Sequence, residues 1–165
     1  TPATLTTLAE GVVARAGVPV LYPMTAVRDV DDCYRVTHVD APEDAPASSK
    51  DNSPLWRTVA QAQREAEERL DREAGTSRGR IAIIVGNERA RAWRADVDGE
   101  TALSERVSLL SAVASKGLEF DSVILVEPAE ILSDGVGDLF VALTRATHDV
   151  HVVHSAPLPA GMEEW

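Results

Sequence analysis

Apolar positions along this chain follow two spacings, one that suits helices and one that suits buried strands. Leu5, Leu8, Val12, Val13 and Ala16 recur at helical spacing and stop at Gly17, with Thr1 placed as N-cap and Pro2 at the first helical position. Val18–Tyr22 reads as a short extended piece ended by Pro23. Cys33–Val39 alternates as a strand does, with Tyr34, Val36 and His38 in step on one face. Ser53-Pro54 repeats the cap-plus-proline start. Leu55, Val59, Ala62, Ala66 and Leu70 follow at helical spacing, with Arg64, Glu65, Glu67, Glu68 and Arg69 as a charged outer face, to an end before Gly75. Arg80–Gly86 is apolar on both faces, the mark of a central parallel strand. Asn87–Ala95 then predicts a short helix and Asp98-Gly99 a turn.

From Val107 the predicted order is a strand over Val107–Val113, a loop at Lys116–Glu119, a strand over Ser122–Val126 and a helical turn around Pro128–Leu132. A loop at Gly135–Gly137, a helix from about Asp138 to Thr147 and a strand at Val150–His154 complete it, and Pro157–Trp165 reads as a surface tail. Helices alternating with fully apolar strands predict a layered α/β domain with a mostly parallel sheet.

Length and composition narrow this further. At 165 residues, 44% hydrophobic and 26% charged, the chain suits one globular domain over residues 1–165 that buries roughly 70% of its unfolded surface. A start on a cap residue predicts a piece of a longer protein. Asp40–Pro54 carries three prolines and almost no apolar residues, so an exposed loop is expected there. Cys33 is the one cysteine, which excludes an intrachain disulfide and suits a reducing compartment. No run approaches 18 apolar residues, so no membrane partner is expected and the location predicted is cytoplasmic. The net charge of −11 denies the chain a general field for nucleic acid, which would have to be met by a local basic patch or another domain.

Three apparent sites dissolve on inspection. His148, His151 and His154 would align on a helix, but the valines among them predict a strand that turns His151 away, so no metal site is assigned. Asp96–Glu100 opens like a calcium loop but lacks the later ligands, and Gly135-Val136-Gly137 lacks the third glycine of a dinucleotide fingerprint. No G-x-x-x-x-G-K-[ST] occurs, so the chain has no phosphate-cradling loop of its own.

What stands out is Ser-Lys-Gly-Leu-Glu-Phe at 115–120, which carries Lys116, one of two lysines, beside a permissive Gly117 and Glu119. Downstream, Arg145 interrupts the apolar Leu139–Ala146 segment. Two readings stand for each charged group: Arg145 as a structural side chain with its head at the surface or as an arginine finger, and Glu119 as a surface charge or as an acceptor for a ribose hydroxyl.

The segments ASKGLEFDSVILVEP and DLFVALTRATHDVHVV resemble motifs V and VI of superfamily 1 helicases of the UvrD/Rep group, at the separation found in their second RecA-like domain. IAIIVGNERAR resembles the preceding strand–helix element, and the opening TPATLTTLAEGVVARAGVPV the continuation of motif IV. The ending VVHSAPLPAGM and the EPAEIL segment are most similar to the HelD branch, whose members act on RNA polymerase. The resemblance implies a three-layer RecA-like domain in which Arg145 contacts the γ-phosphate, while Gly117, Glu119 and Lys116 face the nucleotide. It implies ATP and Mg²⁺ bound in a parent protein, at a cleft shared with a P-loop domain that would supply the metal ligands. The chain alone would then bind neither and would not hydrolyse ATP. DNA-translocating relatives begin motif V with a T-x-H pattern that touches single-stranded DNA. Here the positions are Ser111, Ala112 and Val113, so only Ser111 keeps a phosphate-reaching group, which favours RNA polymerase over DNA as the partner. A DNA repair helicase and a degenerate RecA-like interaction module are the alternatives.

Overall fold

The computed structural model describes residues 1–18, 33–40, 53–75, 78–95 and 105–162. The extended piece expected at 18–22, the loop at about 40–54, the turn at 98–99 and the terminal Trp165 lie wholly or mainly outside them.

Ten elements follow one another: α1 (Ala3–Arg15), β1 (Tyr34–His38), α2 (Pro54–Ala74), β2 (Ile81–Val85), α3 (Asn87–Ala95), β3 (Val107–Ser111), β4 (Phe120–Val126), α4 (Pro128–Asp134), α5 (Val136–Leu143) and β5 (Ala146–His154). The strands form one sheet in the order β1-β5-β4-β2-β3, with every pairing parallel. The unbroken apolar run Ile81–Val85 lies near the centre, all five residues fully buried. Each such branched side chain contributes on the order of 1.5–3 kcal/mol by leaving water.

The strand pleat divides the core in two. Ile81, Ile83 and Val85 join Val107, Leu109, Ile124 and Val153 beneath α2 and α3, where Trp93 is the largest buried side chain. Ala82 and Ile84 point the other way, to Val123, Leu125, Val150 and Val152 beneath α1 and α5. The β1–β2 and β2–β3 connections run over the first face and the β4–β5 connection returns over the second, the arrangement that right-handed crossovers require.

Several boundaries differ from expectation. Helix α1 is preceded by Pro2 at its cap position, with no side-chain cap. The Thr1 hydroxyl donates instead to the Thr144 carbonyl at 2.8 Å, tying the first residue to the turn before β5. Ser53 does cap α2, accepting from the Trp56 N–H. Strand β3 ends at Ser111 rather than Val113, because Ala112–Gly117 coils into successive turns. The expected surface tail is folded against the core: Met162 is fully buried, Leu158 packs beside it, and the Tyr34 hydroxyl donates to the Met162 carbonyl at 3.3 Å. Burial there pushes the Tyr34 phenol well above its ordinary pKa. Among the described residues no helix is long and apolar enough to cross a membrane.

Candidate functional site

Open α/β sheets usually take ligands outside the carboxyl ends of their strands, where the chain switches direction. In this sheet that point lies between β2 and β4, and α3 and α4 are clasped over it. Arg89 donates to both Glu130 carboxylate oxygens, at 3.0 and 2.6 Å, with its guanidinium 5.2 Å from the Trp93 ring. The Asn87 N–H donates to Asp134 at 2.8 Å. Gly86 permits the approach, since a Cβ there would stand 3.2 Å from the Glu130 Cβ. Beside this clasp a cleft of about 380 Å³ remains, lined by Asn87, Glu88, Arg91, Arg94, Ser111 and Asp134.

The predicted loop leads to the opposite edge. Strands β3 and β4 are not neighbours, so residues 112–119 must pass β2, from the carboxyl end of one strand to the amino end of the other. The segment is held by its own backbone: Ser115 N–H donates to the Ser111 and Ala112 carbonyls, Lys116 N–H to Val113 and Leu118 N–H to Ser115. Ser115 is fully buried and its hydroxyl donates to the Ala112 carbonyl at 2.7 Å. Gly117 closes the turn at φ +77, and a Cβ there would touch nothing, so its backbone lies open.

Arg145 meets this loop. Its Nη1 donates to the Leu118 carbonyl at 3.3 Å, its Nε to the Val141 carbonyl at 3.1 Å and its Nη2 to the Thr144 hydroxyl at 3.4 Å. In return the Phe120 N–H donates to the Arg145 carbonyl at 3.1 Å, and the Thr147 hydroxyl to the Phe120 carbonyl at 3.3 Å. Phe120, 2% exposed, anchors the junction in the core. Arg145 thus crosses 27 residues of sequence to brace the loop, and two of its five N–H donors remain for a ligand.

Arg145 does not sit within the helix expected to run to Thr147. Helix α5 ends at Leu143, where the Thr144 hydroxyl donates back to Phe140 at 2.9 Å and Val141 at 3.2 Å, and β5 begins at Ala146 rather than Val150. The early start follows from pairing, since Phe120 stands opposite Ala146 with a register shift just beyond it. A turn residue directs its guanidinium sideways to the loop, where a helical one would follow the helix surface.

Of the predicted site residues, Gly117, Glu119 and Arg145 gather at the amino edge of β4 and β5. Lys116 and Glu119 are exposed. Ser111 lies apart, at the carboxyl end of β3 in the cleft beside α3, and its hydroxyl accepts from the Ala114 N–H at 3.2 Å. The three histidines stay separate: His148 lies 3.7 Å from Glu73, His151 bonds Thr37 at 2.7 Å, and His154 bonds the Ala156 carbonyl at 2.7 Å. Among the described residues no group of three or more His, Cys, Asp or Glu is placed to hold a metal ion.

Three features were not visible in the sequence. Arg80, just before β2, lies over the Phe120 ring at 5.1 Å. Glu127 is buried in the left-handed region at φ 50, and its carboxylate accepts from the Ser155 N–H at 2.5 Å, the Ser155 hydroxyl and the Ala156 N–H. Beneath α2, Asp149 pairs with Arg69 at 2.7 Å and accepts from the Ser122 hydroxyl at 2.5 Å. An Arg, Glu or Asp at the border of an apolar run was the only signal for any of these.

No family model and no curated protein matches the sequence. Among solved structures, the chain is similar to the C-terminal domain of a possible DNA helicase from Lactobacillus plantarum WCFS1, at 18% identity and a TM-score of 0.60. The match covers 98% of this chain and 90% of that one. At such identity the likeness is one of fold, and the fold of this chain is the RecA-like three-layer α/β arrangement.

Proposed function

We propose that this chain is the second RecA-like domain of a superfamily 1 ATPase of the UvrD/Rep type, on the HelD-like branch that remodels RNA polymerase. The observation that carries the reading is the bonding of Arg145 to the Lys116–Glu119 loop. Two motifs far apart in sequence meet at one sheet edge, with a braced guanidinium, an open glycine backbone and an exposed carboxylate together. That donor set fits a nucleoside triphosphate. Arg145 neutralises charge on the γ-phosphoryl group, the Gly117 backbone permits close approach, and Glu119 accepts from a ribose hydroxyl. Lys116 adds positive charge at the rim. ATP, when bound, supplies the phosphoryl group transferred to water, with Mg²⁺ held by the P-loop domain of the parent chain. Arg145, bonded to two carbonyls, is held in position before transfer begins.

The test is Arg145→Ala in the full-length protein. Loss of a finger lowers turnover by about 10³–10⁵, about 4–7 kcal/mol of transition-state stabilisation, with nucleotide affinity changing far less. Unchanged turnover removes the assignment, and ATP hydrolysis by this chain alone would show that no second domain is needed.

A DNA helicase is the second reading. It is favoured by the structural neighbour, the C-terminal domain of a possible DNA helicase, and by the Ser111 cleft, where Arg91 and Arg94 line a polar groove. Stimulation of the parent ATPase by single-stranded DNA selects it, while stimulation by RNA polymerase selects the first.

A further inference from the structure

Along the amino edge of the sheet, the residues immediately before β5, β4, β2 and β3 are Arg145, Glu119, Arg80 and Arg106, in that spatial order. Three arginines and a glutamate thus stand in one row. Arg106 is consumed by the fold, paired with Asp71 at 2.6 Å and donating to the Arg78 carbonyl. Arg80 is not. Its backbone is fixed, with N–H donating to Asp121 at 2.7 Å and its carbonyl accepting from the Asp121 N–H. Its guanidinium is exposed and, among the described residues, makes no ion pair; what it does have is the face of Phe120, the last residue of the loop that Arg145 braces.

From these placements we infer that Arg80 stacks on the base of the bound nucleotide and so fixes which way the nucleotide lies along the edge. The inference rests on the proposed nucleotide site. Strands step by roughly 4.8 Å, so Arg145 and Arg80 begin roughly 10 Å apart with Glu119 between them. A nucleoside triphosphate presents triphosphate, ribose and base in that sequence. With the terminal phosphate at Arg145 and the ribose hydroxyls at Glu119, the base reaches Arg80. A guanidinium is planar and weakly hydrated, and it stacks on aromatic faces. Phe120 holds one side of it, and a purine covers the other. The neighbouring Glu119 offsets its charge, so stacking rather than phosphate binding is its mode.

The experiment measures, by calorimetry on the full-length protein, the binding of ATP and, separately, of inorganic tripolyphosphate. Arg80→Ala weakens ATP binding roughly two- to five-fold and leaves tripolyphosphate binding unchanged. Arg80→Lys, which keeps the charge and loses the plane, behaves as Arg80→Ala and guards against a folding defect. Unchanged ATP affinity in Arg80→Ala overturns the inference. So does an equal loss for tripolyphosphate that Lys restores. Arg145→Ala in the same protein lowers ATP turnover by about 10³–10⁵. Unchanged turnover there refutes the nucleotide site itself and the role of Arg80 with it, whereas lost turnover beside an unchanged affinity in Arg80→Ala refutes the role of Arg80 alone.

Discussion

The buried charge cluster beneath α2 provides a sharp test of how this sheet is held. Arg69 on α2 reaches Asp149 on β5 at 2.7 Å, and its Nη2 also reaches the Ser122 hydroxyl on β4 at 3.2 Å, so one guanidinium ties a helix to two strands. The side chains are 22% and 12% exposed, and Ser122 is 2% exposed. Asp149→Asn keeps the shape and the Ser122 bond but strands the Arg69 charge. Breaking a fully buried pair from one side costs about 3–5 kcal/mol, and the water that still reaches Arg69 lowers the expectation here to about 2–4 kcal/mol. Arg69→Met strands Asp149 instead and costs a similar amount. Arg69→Met with Asp149→Asn removes both charges and is expected to cost no more than either alone, because desolvation offsets most of the attraction. Urea unfolding at neutral pH, followed by circular dichroism, gives all three values with comparable slopes. The reasoning fails if the two single costs add in the double variant, or if Asp149→Asn changes stability by less than about 0.5 kcal/mol.

Two further outcomes follow from buried groups outside the candidate site. Burial first, then the Arg35 and Arg69 charges, hold His151 down to about 4 against an opposing pull from Glu65. The unfolded chain therefore binds this proton first as pH falls. The folded state is expected to lose about 1–2 kcal/mol between pH 6.5 and 4, discounted for the ring's partial exposure, and none of this above 6.5. His151→Gln should flatten that part of a stability–pH curve; an unaltered curve refutes it. Glu127→Gly relieves the left-handed backbone and Glu127→Ala does not, yet both lose the carboxylate that gathers Ser155 and Ala156. Thermal unfolding should place both below wild type, Ala lower by about 1 kcal/mol, and equal values would mean the backbone there is unstrained.

Much of this architecture was legible because its strands are buried on both faces. Ile81–Val85 and Val123, Ile124, Leu125 and Val126 of β4 leave no alternative to a central parallel sheet. The ends of elements were less legible. Helical spacing continues through Thr144 and Ala146, and only the backbone bonds of the Thr144 hydroxyl and the pairing of Ala146 with Phe120 end the helix. The tail read as surface, yet Met162 finds a place in the core and Leu158 packs against it. The two halves of the candidate site were each visible as motifs. Their bonding through the Leu118 carbonyl was not, because a carbonyl carries no sequence signature. Arg80 was invisible for a related reason, since its ring partner opens a strand that comes two strands later in the sequence and becomes its neighbour only in the sheet.

The pairing of β1 has a consequence for how the chain is made. Within the sheet Tyr34–His38 pairs with β5, with Tyr34 opposite Val150, and every strand pairing among the described residues joins segments separated by a helix or a long connection. No hairpin exists among the described strands to start the sheet locally. Contacts of this sequence range form slowly, because the intervening chain must be ordered before they repay the entropy of closure. During synthesis β1 has no mate until Ala146–His154 follows. A strand with unsatisfied backbone groups therefore waits while the intervening segments are made, which makes the nascent domain, rather than the folded one, the form most in need of a chaperone.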